Sequence, residues 1–137
     1  MNRMTPVALA LALAMSAGAA GASAQSGLSG EREINQGLFV LAVADKIRRA
    51  CDGISARFFR AHGYTNDLKE MARARGYSRE EVEDYLNDET EKAKMRARRN
   101  AYFEANGASN LDPESLCTLG RAEIARNSQI GHLLRAK

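Results

Sequence analysis

The chain has 137 residues, with 20 Lys and Arg against 17 Asp and Glu and a formal net charge of +3. That length suits one domain and crowds two. Two Pro and two Cys exclude a collagen-like chain and a knottin-like scaffold, and the two Cys with the two His lack the spacing of a zinc site.

The N-terminus is the one strongly apolar segment. Met1 to Pro6 carry a single positive side chain, Arg3; Val7 to Met15 are apolar throughout; Ser16 to Ala24 are small and end Ala22-Ser23-Ala24. A basic start, a short apolar core and an A-x-A end predict a secretory signal peptide over 1–24, cleaved after Ala24. A membrane anchor is the competing reading, but this apolar run as a helix rises only about 13 Å, against about 30 Å of hydrocarbon. The alanine-rich core is bacterial in style and predicts the periplasm. Cleavage would remove one cation, leaving a nearly neutral chain, which argues against a nucleic-acid partner.

Residues 25–30 are small and polar and are expected to form a flexible lead-in to a single helical domain over 31–137. A first helix is predicted from Glu31 to Cys51, with Ile34, Leu38 and Leu41 on one line and Val40, Val43 and Ile47 on another, making it the most buried element. Asp52-Gly53 marks a break. A second helical stretch is predicted from about Ile54, with Phe58, Phe59 and Ala61, interrupted at His62-Gly63-Tyr64 and ending at Gly76 as a C′ residue.

Ser78 and Glu81 have the spacing of a capping box, and Tyr77 with Val82 suits a hydrophobic staple. Acids crowd the turns after Ser78 and bases follow, from Lys92 to Arg99, as a helix dipole favours. A third helix is therefore predicted to run unbroken to Asn106-Gly107, about 40 Å long. Ala93, Ala97 and Ala101 form a small-residue stripe expected to pack closely on a neighbour. The functional alternative places Lys92, Arg96 and Arg99 on one face, able to bind an anionic lipid surface or an acidic partner; a charge run is more often a solvated face.

Asp112 as N-cap, Pro113 at N1 and Glu114 open the last helix. Its heptad line runs Cys117, Gly120, Ile124, Asn127, Gly131, Leu134. Gly120, Ile124, Asn127 and Gly131 are the candidate helix-packing residues, since each glycine costs up to about 1 kcal/mol of propensity and needs a packing reason. No segment is rich in β formers. The predicted fold class is all-α, a small bundle of about four helices. Cys51 and Cys117, an even count in an exported chain, are read as one disulfide, closing roughly 67 residues and contributing about 4 kcal/mol at most.

Chemistry-bearing motifs are missing. No G-x-G-x-x-G, Walker loop, C-x-x-C-H or H-E-x-x-H occurs. His62 and His132 both adjoin Gly and lie in no recognised pattern. The carboxylate pairs Glu80–Asp84 and Asp84–Asp88 are explained by capping and dipole effects. No catalytic residue, cofactor or metal site is predicted.

The stretches INQGLFVLAVADKIRRACDGISAR (Ile34 to Arg57), GYSREEVEDYL (Gly76 to Leu86) and SLCTLGRAEIARNSQIGHLLR (Ser115 to Arg135) resemble a family of small exported alphaproteobacterial proteins classed as a domain of unknown function. The resemblance spans nearly the whole chain after the signal peptide. It implies an all-helical periplasmic domain with paired Cys and supplies no catalytic residues.

The expected role is non-catalytic: an accessory or structural subunit docking through protein–protein contact on the periplasmic side of an inner-membrane complex, a respiratory NADH:quinone oxidoreductase-like complex being one example, with peripheral contact to anionic lipid. The analogy is with small disulfide-stapled helical subunits of mitochondrial respiratory complexes, although their twin C-x9-C pattern is absent. The alternative is a free periplasmic stress or chaperone-like protein that opens when its 17 acids are neutralised.

Overall fold

The computed structural model describes residues 27–137; the expected signal peptide and its cleavage point lie outside the described residues. Six α-helices and one small sheet follow in chain order: α1 Arg32–Ala50, β1 Ile54–Ala56, α2 Phe58–Ala74, α3 Arg79–Asn87, α4 Glu89–Ala105, α5 Pro113–Ala125, α6 Gln129–His132 and β2 Leu134–Ala136. The class is all-α, with more and shorter helices than the four expected.

Helix α1 is the spine, and its broad apolar surface serves two clusters. Phe39, Val40, Val43, Ala44 and Ile47 form the main core with Phe103 of α4, Leu116 and Leu119 of α5, and Ile130, Leu133 and Leu134 near the C-terminus. At the other end Ile34 joins Leu28 and Ala72, with Tyr77, Val82 and Tyr85 packed against them. Gly27–Gly30 is thus no loose lead-in. It forms a 3-10 turn that buries Leu28, and Asn35 Nδ2 donates to the Leu28 carbonyl at 2.8 Å.

Cys51 and Cys117 are disulfide-bonded, their Cα atoms 5.2 Å apart. The bond ties the end of α1 to α5, where Gly120 lets the helices close: a Cβ there would stand 2.6 Å from both Ile47 Cγ2 and Ile54 Cδ1. Beside the disulfide, β1 and β2 pair antiparallel, with Ile54 opposite Ala136 and Ala56 opposite Leu134. The second helix therefore begins at Phe58, not at Ile54. It also runs unbroken through His62-Gly63-Tyr64, because Tyr64 packs on the core and this outweighs the propensity cost of one glycine, about 1 kcal/mol.

The predicted long third helix is two. Asp88 closes α3 with its backbone and caps α4 with its side chain, accepting from the Glu91 N–H at 2.9 Å. The capping box is present as expected: Ser78 Oγ accepts from the Glu81 N–H and Glu81 Oε2 from the Ser78 N–H, both at 3.1 Å. Gly76 takes a φ of +90 and closes α2. The heptad line of the last helix also breaks. Asn127 adopts a φ of 49, and the Ser128 N–H donates back to the Glu123 carbonyl at 3.2 Å, a Schellman ending with Asn in place of Gly. Ser128 then caps α6.

Candidate functional site

Helices α1 and α2 touch at one end and part at the other. Near the α2 C-terminus they are close, since a Cβ on Gly37 would lie 2.4 Å from Leu68 Cδ2. Toward the α2 N-terminus the facing residues, Ala44 and Ala61, are too small to fill the widening gap. The result is a groove of about 600 Å³, floored by Leu41, Ala44, Leu133 and Leu134 and edged by Asp45, Arg48 and Phe58. Asp45 is occupied on that edge by Arg48 at 2.6 Å and Arg49 at 2.8 Å.

Phe58 stands at the mouth, with Phe59 beside it outside the groove. Phe58 is 70% and Phe59 86% exposed. They meet edge to face, centroids 5.5 Å apart, and Phe58 stacks on His62 at 6.1 Å. The flanking cations are held by the C-terminal segment: Arg57 Nε donates to the Leu134 carbonyl at 3.1 Å and Arg60 Nη1 to the His132 carbonyl at 3.2 Å. His132 meets Arg60 through Nδ1, and both histidines are exposed. The sequence places both phenylalanines in a second helical stretch without marking them as exposed. The adjacent pair between arginines was visible, but only the start of α2 at Phe58 turns it outward.

The predicted basic face is dispersed. Lys92 pairs with Glu89 at 3.0 Å. Arg99 is half-buried, bonded to Asn100 and Asn110 and set over the Phe103 ring; burial, and then the nearby charge of Arg96, pull its pKa below the usual arginine value. Arg96 is exposed. Contrary to the expectation that this stripe packs on a neighbour, Ala93, Ala97 and Ala101 face solvent, since Met95, Tyr102 and Phe103 turn the opposite side of α4 to the core. Arg98, singled out by no pattern, lies over the Phe39 ring at 4.4 Å.

Of the candidate packing residues, Gly120 and Gly131 are buried, Ile124 is half-buried and Asn127 is exposed at its turn. A Cβ on Gly131 would sit 2.0 Å from the Glu123 carbonyl oxygen. That closeness serves a feature the sequence concealed, the fully buried Glu123. Its carboxylate accepts from the Tyr102 hydroxyl, the Ser128 hydroxyl and Arg126, the last also through Nε at 3.2 Å. Burial pushes the Glu123 pKa up, but the bonds from Arg126, Ser128 and Tyr102 together outweigh it and hold it below the usual glutamate value. The Tyr102 hydroxyl is pushed up to about 12 by burial and by its bond to Glu123. This carboxylate joins α4, α5 and α6, and its acceptor capacity is used within the fold.

Among the described residues, no three His, Cys, Asp or Glu side chains gather as a metal site, and no helix is long and apolar enough to cross a membrane. The family of unknown function DUF5333 matches residues 26–135. The chain belongs to this family. DUF5333 carries no established activity to set against the groove, the aromatic mouth or the buried carboxylate. No curated protein and no solved structure is significantly similar to the chain.

Proposed function

We propose that this DUF5333 protein is a non-catalytic accessory subunit that docks on the periplasmic face of an inner-membrane assembly, after export and removal of residues 1–24. The observation that carries this reading is the α1–α2 groove, an apolar opening of about 600 Å³ edged by an exposed aromatic ring. Apolar floors rimmed by aromatic and arginine side chains are what protein interfaces favour at their centres. A single-disulfide helical body supplies the rigid shape such docking needs. The test is photo-crosslinking in native membranes from a benzoylphenylalanine at Ala61, in the groove, with Ala97 on the solvent face of α4 as control. A discrete adduct from Ala61 alone is expected. A tagged protein that emerges from mildly solubilised membranes alone, at monomer size, overturns the reading.

A free acid-stress protein is the second reading. It is favoured by Glu123 and Glu31, which join separate elements through carboxylates that lose their charge in acid. It requires protection of client proteins from aggregation at acidic pH, and its absence there dismisses the reading.

A further inference from the structure

The first turn of α2 reads Arg57-Phe58-Phe59-Arg60. Its two rings are among the most exposed large apolar side chains described. The rings meet edge to face, centroids 5.5 Å apart, and protrude as one aromatic pair, while Phe59 does not line the groove. Each flanking arginine is held by a backbone carbonyl, and neither forms an ion pair among the described residues. No side chain caps the helix there, so the positive end of its dipole points the same way.

The acids Glu80, Glu81, Glu83 and Asp84 belong to α3, which follows the far end of α2, about 25 Å from Phe58. The aromatic tip and the acidic helix are thus at opposite ends of one rod. A protruding aromatic pair between two cations that form no ion pair complements a soft anionic surface better than a shaped protein pocket. Rings enter the acyl boundary while guanidinium groups meet phosphates.

We propose that Arg57, Phe58, Phe59 and Arg60 form a peripheral membrane contact that seats the protein on anionic lipid, at a place distinct from Lys92, Arg96 and Arg99. This goes beyond the accessory-subunit reading and does not require it. Lipid vesicles free of protein report on the tip alone, whereas crosslinking at Ala61 reports on a protein partner.

The test is sedimentation of the exported, disulfide-bonded protein with vesicles of phosphatidylcholine, with and without phosphatidylglycerol. Binding to the anionic vesicles, weakening as salt rises, is expected. Phe58→Ala with Phe59→Ala weakens it at least about tenfold. Arg57→Gln and Arg60→Gln each weaken it about fivefold at low salt, whereas Arg96→Gln leaves it unchanged. Circular dichroism confirms that each variant is folded; the phenylalanines are exposed, so that pair retains the native melt even where loss of the Arg57 bond softens its own variant. No binding to anionic vesicles, equal binding by the double phenylalanine variant, or a loss with Arg96→Gln as large as with Arg60→Gln overturns the proposal. Retention by native membranes without retention by pure lipid overturns it too, and gives the tip to a protein.

Discussion

A methyl group added at Gly131 meets backbone, the Glu123 carbonyl oxygen at 2.0 Å, and backbone cannot swing aside. Gly131→Ala is expected to cost about 3 kcal/mol in urea unfolding. Gly120→Ala meets only Ile47 and Ile54 side chains, which can re-orient, so about 1–2 kcal/mol is expected. Gly63 has nothing within 4 Å, and Gly63→Ala in mid-helix should stabilise by about 0.5–1 kcal/mol. Glu123→Ala removes the carboxylate that accepts from the Tyr102 and Ser128 hydroxyls and leaves a cavity among three elements, while Arg126, whose side chain is 55% exposed, regains water. A loss of about 2–3 kcal/mol follows. Because the Glu123 pKa lies below its ordinary 4.5 in the fold, its contribution is complete above that value and is lost as pH falls through the native one. Tyr102 behaves oppositely: its contribution holds below pH 10 and fades as pH rises toward about 12. Urea midpoints across pH should show both shoulders, and the acid one should shrink in the Glu123→Ala variant, leaving the part that Glu31 contributes. The two glycines could be read as packing residues because their propensity cost demanded a reason. Glu123 could not, since a lone acid in a helix looks solvated until its donors converge from Tyr102, Arg126 and Ser128.

Helix ends were legible wherever the signal was local. Ser78 with Glu81 and Asp112 with Pro113 speak within one turn, and both caps stand where the spacing predicts. Asp88 carries the same message three residues before Glu91, but the continuous run of charged helix formers around it masked the break. Asp88→Ala should therefore cost about 1 kcal/mol and speed hydrogen exchange at the Glu91 amide, leaving α3 unaffected. Asn127-Ser128 hid similarly inside an apparent heptad, since one residue in a left-handed conformation ends α5 while its neighbour starts α6. The strands were illegible. Three residues show no alternation, and Ile54–Ala56 is a strand only because Leu134–Ala136 lies beside it.

At the scale of the molecule, the all-α class followed from periodicity, and the disulfide from an even cysteine count. The groove followed from neither, because it is the space between α1 and α2, set by Gly37 at one end and two alanines at the other. Reduction of the Cys51–Cys117 bond, which spans a sequence separation of 66, is expected to lower stability by about 4 kcal/mol, measured by urea unfolding with and without dithiothreitol. The same region has a bearing on timing. Leu133 and Leu134 complete the main core, and Lys137 donates its N–H to the Gly53 carbonyl at 2.9 Å. A nascent polypeptide elongating from its amino end cannot shut this interior until residues 133–137 have emerged, so closure of the main core waits on contacts of long sequence separation and comes late in folding.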